Sequence, residues 1–311
     1  MQLHDDFVAV RVPATTANLG SGFDCAGMAL SLFDDVAVHA TTGKTSVTVE
    51  GQGVGDVDTG EKNLVVQALR AGLDAVGAPQ VGISMHCTNR IPHSRGLGSS
   101  ASAIVAGLVL ARALVGDPDS LTRADIITLA TRMEGHPDNV APAVDGGVTF
   151  AWSSADGVGV MSQSVPEFIH PVVFIPDFEL STSVARQALP DSVPRVDAVF
   201  NVARVAALTA LLSGATPVGV SVHQVLMDAT EDRLHQEYRR RTMEPSLALV
   251  DWLREAGYAA VVSGAGPTVI CLEQVPQDIE NQARDAGWDV RSLPVCHSGV
   301  EQTRGKLAYS L

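Results

Sequence analysis

Hydrophobic and polar positions along this chain follow two periodicities, which predict a mixture of strands and helices. Period-two patterns rich in β-branched residues predict strands over 7–12 (ending at Pro13), 30–42, 45–50 and 81–89, and amphipathic spacing predicts helices over 63–75 and 121–134. Further along, strands are predicted over 171–176, 258–262, 268–272 and 288–293, and helices over 196–211, 245–256 and 277–286. Because strands and helices are mixed in both halves without regular βαβ alternation, the pattern favours an α+β fold.

The pattern weakens between residues 150 and 168, which is where we expect a boundary between two domains. A chain of 311 residues is long enough for two domains with a sizeable core. We therefore predict an N-terminal domain over residues 1–160 and a C-terminal domain over residues 161–311.

Composition excludes several classes of partner. Hydrophobic residues make up 46% and charged residues 18%, which is typical of a globular protein. The net charge of −14 argues against nucleic acid as a partner, because proteins usually bind nucleic acid through basic patches.

The four cysteines are scattered without metal-site spacing and are expected to be reduced thiols. The N-terminus lacks the basic residues of a signal peptide, and no apolar run approaches the roughly 18 residues that span a membrane. We expect a cytoplasmic protein with no membrane partner.

The most informative segment is 92–102, with the sequence PHSRGLGSSAS. Its two glycines permit a tight turn, and its serines stand where a helix should begin, before the apolar stretch 103–115. A helix N-terminus carries unsatisfied amides and about half a positive charge. The segment therefore predicts a binding site for a phosphate group.

One alternative for this segment is a dinucleotide site, because residues 96–101 fit the pattern GxGxxA after a strand and before a helix. No clean βαβ unit with an acidic ribose-binding residue follows, so a dinucleotide-binding oxidoreductase remains the alternative from a different class.

Three segments in this order resemble the motifs of the GHMP small-molecule kinases: 13–24 (PATTANLGSGFD), 92–102 and 263–267 (SGAGP). Within that superfamily, the form PxxxANLGxGFDxxG, completed by Gly27, and the segment 134–142 (EGHPDNVAP) are similar to the homoserine kinases. The resemblance implies a two-domain α+β fold, with an N-terminal domain like ribosomal protein S5 domain 2, a ferredoxin-like C-terminal domain, and ATP between them. It also implies a homodimer.

The activity implied by this resemblance is ATP-dependent phosphorylation of the side-chain hydroxyl of L-homoserine, a step of threonine biosynthesis. The nearest alternative is another GHMP kinase, acting on mevalonate or a sugar. Such a substrate has no ammonium group, which would leave Asp24 without a partner.

The resemblance assigns ATP binding to the Gly-rich segment, with Asn63 near the adenine ring, and Mg²⁺ binding to Ser100 and Glu134. Mg²⁺ takes hard oxygen ligands and keeps several waters, so a carboxylate, a hydroxyl and phosphate oxygens suffice. The expected ATP-binding residues are Pro92, His93, Ser94, Arg95, Gly96, Leu97, Gly98, Ser99, Ser100, Ala101, Ser102 and Asn63.

For the substrate, Asp24 is expected to pair with the ammonium group while Asn18 orients a hydroxyl. Arginine suits the α-carboxylate because its planar fork binds two oxygens at once. Arg186 and Arg239 match the family positions, although the neighbours Arg240 and Arg241 leave the second assignment open by one residue. The expected substrate-binding residues are Asn18, Asp24, His136, Asn139, Thr182, Arg186, Arg239 and Gly264.

Many phosphotransferases use an aspartate to take the hydroxyl proton. Homoserine kinases resemble one another in lacking it, with Asn139 near that position, and the adjacent Asp138 need not point the same way. We therefore expect direct attack by the substrate hydroxyl, with Glu134, Asn139 and Ser100 as the catalytic residues.

Overall fold

The first of two sheets is formed mainly by the N-terminal half of the chain. The computed structural model describes residues 2–303, and the elements given below are those of this range. The strands of this sheet are β1 (Phe7–Ala17), β2 (Ala26–Thr41), β3 (Ser46–Gly51), β4 (Gly82–Asn89), β5 (Val148–Ser154), β6 (Gly157–Gln163) and β11 (Glu301–Thr303). Their order is β11-β1-β2-β4-β3, with β5 paired to the beginning of β2 and β6 paired to β5. Only β3 and β4 are parallel within this sheet as described.

Strand β1 is longer than predicted, because it passes through Pro13 and continues to Ala17. Its register with β2 shifts between Pro13 and Ala14, and its pairing with β11 covers only Ala9–Arg11. Proline lacks a backbone N–H, and it is tolerated in strands at bulges and where one edge is unpaired. The prediction that the strand ends at Pro13 is therefore wrong. The longer strand ends directly before Asn18, one of the predicted substrate-binding residues.

Four helices belong to this half of the chain, namely α1 (Leu64–Ala75), α2 (Ser99–Val115), α3 (Arg123–Glu134) and α4 (Pro137–Asp145). Helices α2, α3 and α4 contact the first sheet, and α1 packs on α2. Asn63 caps α1 by accepting a hydrogen bond from the amide of Val65, and Thr122 forms a capping box with Asp125 at α3. Helix α2 is buried along most of its length between α1 and β1. Its apolar sequence follows from this central position in the core.

The second sheet is antiparallel and buried on both faces. Its order is β10-β7-β9-β8, from β7 (Val172–Ile175), β8 (Ala260–Val262), β9 (Val269–Cys271) and β10 (Asp289–Ser292). In β7, Val172 and Phe174 belong to one apolar cluster, while Val173 and Ile175 belong to another that includes residues of the first sheet. The alternation of side chains along a strand thus joins the two halves through a continuous core.

The remaining helices belong to the second half of the chain: α5 (Thr182–Gln187), α6 (Arg195–Leu212), α7 (Val222–Ala229), α8 (Glu244–Glu255), α9 (Gln277–Asp285) and a 3-10 helix (Glu237–Thr242). Over residues 2–303, no helix is both long and apolar enough to cross a membrane.

The stretch with a weak pattern, 150–168, contains the β5–β6 hairpin. The predicted boundary between residues 160 and 161 falls within β6, and β11 returns from the second half to pair with β1. Positions 304–311 of the predicted C-terminal domain lie outside the described residues. The two-domain α+β organisation is confirmed, whereas the position of the boundary stays a prediction.

Candidate active site

The N-terminus of α2 opens into a cleft, and its amides are free to bind an anion. Gly98 occupies the N-cap position, and no side chain caps the helix. Within the described chain, the amides of Ser99, Ser100 and Ala101 have no hydrogen-bond acceptor. Unsatisfied amides and the helix dipole make this end of the helix suited to a phosphate group.

The loop before α2 requires glycine at two positions because of close approach. A Cβ on Gly96 would lie 2.3 Å from the carbonyl oxygen of Ser263, and a Cβ on Gly98 would lie 1.9 Å from Oγ1 of Thr15. Both glycines have a positive φ, at 75° and 69°. This loop (residues 92–98), which we call the phosphate loop, is therefore held tightly between β1 and the turn 263–267.

A cleft of about 770 Å³ brings together all of the predicted catalytic and substrate-binding residues, with several of the predicted ATP-binding residues. It lies between the N-terminus of α2, the turn after β1, the start of α4 and segments of the second half of the chain. The predicted residues that line it are Asn18, Asp24, Ser94, Gly96, Gly98, Ser99, Ser100, Glu134, His136, Asn139, Thr182, Arg186, Arg239 and Gly264.

A second cleft of about 750 Å³ meets the first at Ser94, Ser99 and Ser100. Its other lining residues are largely apolar, and they also include the predicted Asn63, His93 and Ser102. The side chain of Asn63 bonds to the carbonyl of Asp58 (2.9 Å) and the amide of Val65 (3.0 Å). An apolar cleft beside a helix end suited to phosphate has the character expected of a nucleoside site.

Four predicted ATP-binding residues line neither cleft, namely Pro92, Arg95, Leu97 and Ala101. Leu97 and Ala101 are buried in the core. The guanidinium of Arg95 donates to the carbonyls of Pro176 (2.9 Å) and Asp177 (2.7 Å). The side chains of these residues fix the loop in place, and Arg95 ties it to the second half of the chain.

Ser100 and Glu134 meet across the first cleft, where Oγ of Ser100 donates to Oε2 of Glu134 at 2.7 Å. Glu134 is the last residue of α3, so its carboxylate lies at the negative end of the helix dipole and both contribute negative charge there. A hydroxyl and a carboxylate in contact form a hard oxygen donor set that fits Mg²⁺ with phosphate and water ligands. The described residues contain no group of three or more His, Cys, Asp or Glu side chains that could hold a metal ion, so at this site the remaining ligands of Mg²⁺ would be phosphate and water oxygens.

Asp24 and Arg186 form an ion pair at the cleft, although 162 positions separate them in the sequence. The two guanidinium nitrogens lie 2.7 Å and 3.1 Å from the two carboxylate oxygens. Asn18 holds the turn by donating to the carbonyl of Gly264 (2.7 Å) and accepting from the amide of Asp24 (2.9 Å). Opposite charges are thus paired in the free protein at the place where a zwitterion was expected to bind.

Arg239 is a buried cation with no carboxylate in contact. It is 1% exposed and forms no ion pair with any described residue. Burial, followed by the positive charge of Arg186, lowers its pKa to about 10, although the carboxylates of Asp24, Asp232 and Asp138 oppose this shift. Arg240 instead pairs with Glu237, Glu244 and Asp251 away from the cleft. Of the two adjacent arginines, the geometry favours Arg239 as the ligand of an anion.

His136, Asp138 and Asn139 lie together at the start of α4. Asp138 is 1% exposed, and its carboxylate hydrogen-bonds to Nδ1 of His136. Burial opposes the charged imidazolium, but the hydrogen bond and the charge of Asp138 outweigh it and raise the pKa of His136. Oδ1 of Asn139 accepts a hydrogen bond from Oγ1 of Thr15 at 2.8 Å. Asp138 and Asn139 are therefore both engaged within the protein.

Backbone strain is concentrated at this site. Among residues 2–303, the non-glycine residues with positive φ are Asn18, Leu19, Asp24 and Ser94, and three of these line the first cleft. Such conformations persist where the surrounding structure enforces them, commonly at functional sites.

Sequence reasoning missed several residues of the site. Leu180, Ser181 and Ala265 line the first cleft, and His235 lies behind Arg239 without lining it. The signal for Leu180 and Ser181 was their position just before Thr182. His235 lies four positions before Arg239, but its second contact, with the carbonyl of Gly20, is 215 positions away and had no signal in the sequence.

These features agree with the comparisons with known proteins. The family models "GHMP kinases N terminal domain" and "GHMP kinases C terminal" match residues 63–147 and 220–287. A homoserine kinase of Clavibacter michiganensis subsp. michiganensis is 48% identical over 86% of this chain and 83% of its own, and one of Streptomyces coelicolor is 46% identical over 85% and 84%. The crystal structure of homoserine kinase from Cytophaga hutchinsonii has a TM-score of 0.81 at 26% identity and covers 97% of this chain and 99% of its own.

The fold and the cleft define a small-molecule kinase of the GHMP type. Sequence identity above 40% to homoserine kinases, over most of the chain, identifies the family within this type. The chain belongs to the homoserine kinase family of the GHMP kinases.

Proposed function

We propose that this protein transfers the γ-phosphoryl group of ATP to the side-chain hydroxyl of L-homoserine, a step of threonine biosynthesis. The observation that carries the proposal is the buried guanidinium of Arg239, which has no carboxylate in contact within the described chain and lines the cleft. A buried cation is costly unless an opposite charge compensates it. The carboxylate of an amino acid supplies that charge.

The ion pair between Asp24 and Arg186 supports a zwitterionic substrate. When an amino acid enters, its ammonium group pairs with Asp24 and its carboxylate with Arg186 and Arg239, so the pair in the free protein is exchanged for two pairs with the substrate. The amide of Asn18 keeps one N–H free for the cleft, because its other contacts use one proton and the oxygen. Mevalonate and sugars have no ammonium group to pair with Asp24.

ATP fits the two connected clefts. The free amides at the start of α2 bind the phosphate groups, and the apolar second cleft receives the adenosine. The shared residues Ser94, Ser99 and Ser100 place the triphosphate where the clefts meet. Ser100 and Glu134 would hold Mg²⁺. When bound, this ion neutralises negative charge on the phosphate oxygens.

The transfer proceeds by direct attack. The substrate oxygen forms a bond to the γ-phosphorus while the bond to the β–γ bridging oxygen breaks, and its electron pair leaves with ADP. The hydroxyl proton passes to a phosphate oxygen or to water. Asp138 is committed to His136 and Asn139 to Thr15, which supports a scheme in which alignment and the positive helix end, rather than a side-chain base, lower the barrier.

We also infer, from membership of this family, a homodimer in the cytoplasm. Light scattering coupled to gel filtration should give twice the 32.5 kDa of one chain. A mass of one chain at micromolar concentration would contradict the dimer.

The function is tested by an ADP-release assay with ATP, Mg²⁺ and a panel of alcohols. We expect turnover with L-homoserine and at least about 100-fold lower kcat/KM with 3-amino-1-propanol, which lacks the carboxylate, or 4-hydroxybutyrate, which lacks the ammonium group. Preference for mevalonate or a sugar would overturn the substrate. Binding of NADH without any ADP release would favour the dinucleotide alternative.

A further inference from the structure

His235 lies directly behind Arg239 and is completely buried. Its Nδ1 is 3.0 Å from Nη1 of Arg239, and its Nε2 is 2.8 Å from the carbonyl oxygen of Gly20. A guanidinium can only donate and a carbonyl can only accept. The two partners therefore fix the ring as the neutral tautomer, with Nδ1 as acceptor and the proton on Nε2.

The surroundings of the ring also favour its neutral form. Burial lowers the pKa of His235, and the charge of Arg239 adds to this effect, whereas Asp232 and Asp24 oppose it. Oδ2 of Asp232 lies 3.6 Å from Nε2 of His235, beyond hydrogen-bond distance, while this carboxylate accepts hydrogen bonds from the amides of Leu234, His235 and Gln236 at 2.8–3.0 Å. These bonds hold the backbone of His235 in place.

All acceptors that contact Arg239 are neutral. Besides His235, they are the carbonyl oxygens of Ala185 (3.2 Å) and Gly264 (3.4 Å). These contacts use Nε and Nη1, and among the described residues none uses Nη2. A carboxylate in place of the imidazole would neutralise the guanidinium and compete with the carboxylate of the substrate. A neutral nitrogen orients the guanidinium without neutralising its positive charge.

We propose that His235 is a positioning residue, which aims Arg239 at the carboxylate of the substrate and links this group to the turn that carries Asp24. The proposal rests on the proposed function. Its second part follows from the contacts of the ring, because Nε2 donates to Gly20 and the ring of Phe23 stacks on the imidazole at 5.0 Å. One imidazole thus supports both the ammonium side and the carboxylate side of the substrate site.

Two substitutions separate the two contacts of the ring. In His235→Asn, the amide oxygen takes the place of Nδ1, so the acceptor for Arg239 is kept and the donor to Gly20 is lost. In His235→Gln, the amide nitrogen takes the place of Nε2, so the donor to Gly20 is kept and the acceptor for Arg239 is lost. Each variant retains a buried amide of moderate size, and His223→Asn, at an exposed position, serves as the control.

The readout is the ratio of kcat/KM for L-homoserine to kcat/KM for 3-amino-1-propanol, which lacks the carboxylate. We expect His235→Gln to lower this ratio about tenfold through KM for homoserine, as expected for a weakened charged contact, with KM for ATP unchanged. His235→Asn should keep the ratio within about threefold of the wild type. Equal ratios in the two variants, or a loss confined to kcat, would overturn the proposal.

The outcome is distinguishable from a failure of the proposed function. If the wild-type protein shows no preference for homoserine, the proposed function fails. If the wild type shows the preference and Arg239→Met loses it while His235→Gln keeps it, only the role of His235 is wrong. If the variants do not fold, ¹⁵N NMR of the wild type tests the tautomer of His235 directly. We expect a neutral His235 protonated on Nε2 from pH 6 to pH 8. A proton on Nδ1 would contradict the proposed orientation of Arg239.

Discussion

The hydroxyl of Ser100, in the first turn of α2, donates a 2.7 Å hydrogen bond to the carboxylate of Glu134, the last residue of α3. The positive end of one helix therefore faces the negative end of another across the cleft. Triphosphate at the first and Mg²⁺ at the second would complement both ends. The contact marks the point at which we propose that the phosphate and metal sites meet.

Glu134→Gln tests the metal site. The amide oxygen can still accept the hydrogen bond from Ser100, but the negative charge is lost, so we expect kcat to fall by a factor on the order of 10²–10³ and the Mg²⁺ requirement to rise. Initial rates over a range of Mg²⁺ concentrations measure both effects. Glu255→Gln, at an exposed position at the end of α8, is the matched control. Full activity of Glu134→Gln at low Mg²⁺ would contradict the assignment.

Asp138→Asn and Asp138→Ala test the scheme without a side-chain base. General-base catalysis contributes typically 10²–10⁴-fold, so a loss of kcat below about tenfold in Asp138→Asn is expected if no base acts there. The Ala variant should lose somewhat more, because it also releases His136 from its hydrogen bond. Rates and the Kd for homoserine are compared in each variant. Near-inactivity of both variants with unchanged homoserine binding would refute direct attack.

Ser263→Ala tests the support of the phosphate loop. Its buried hydroxyl hydrogen-bonds with the carbonyl of Gly96 (2.6 Å) and with Oγ1 of Thr16 (2.8 Å). We expect a loss of about 1–3 kcal/mol in the free energy of unfolding and a higher KM for ATP. Ser246→Ala is the comparison, because Ser246 is equally buried but bonds at 2.6 Å to the carbonyl of Pro267, at the end of the same turn, rather than to the loop itself. Urea unfolding and ATP kinetics should separate them, and an unchanged KM for ATP in Ser263→Ala would be inconsistent with this role.

Much of the fold follows from the sequence because its signals are local. The cap at Asn63, the alternation in 81–89 and the glycines before α2 each act within a few residues, and the structure confirms the corresponding elements. Strand β1 was predicted too short because its tolerance of Pro13 depends on a bulge against β2. The β5–β6 hairpin was missed because the first four residues of β5 are all buried and the exposed Trp152 and Met161 are apolar, so neither strand alternates between polar and apolar residues.

The site was predictable only as a set of segments. The motifs supplied the residues, but the pairing of Asp24 with Arg186 joins positions that no local pattern relates. The choice between Arg239 and Arg240 likewise needed burial, since both carry the same charge in adjacent positions. His235 acts through its neighbours and became visible only once the chain had folded.

Two adjacent carboxylates, Asp34 and Asp35, predict opposite responses of stability to pH. Burial raises the pKa of Asp34 from 3.8 to about 6, against two hydrogen bonds that Oδ1 accepts from the amides of Arg90 and Ile91. Burial also acts on Asp35, but its hydrogen bonds with the guanidinium groups of Arg11 and Arg90 outweigh it and lower the pKa of Asp35.

The raised pKa of Asp34 means that the folded state binds more protons than the unfolded state between about pH 4 and pH 6. The free energy of unfolding therefore falls as pH rises through this window. Asp34→Asn removes the titration and keeps the oxygen that accepts both amides, so relative to the wild type it should gain on the order of 1–2 kcal/mol between pH 5 and pH 8. Asp35→Asn should be destabilising by a constant amount over the same range, because the stability that a lowered pKa gives is fully present above the unfolded value of 3.8 and is lost as pH falls from there through the folded pKa. Urea unfolding without nucleotide at pH 5 and pH 8 measures both, and a gain for Asp34→Asn that does not grow with pH would show that this carboxylate ionises normally.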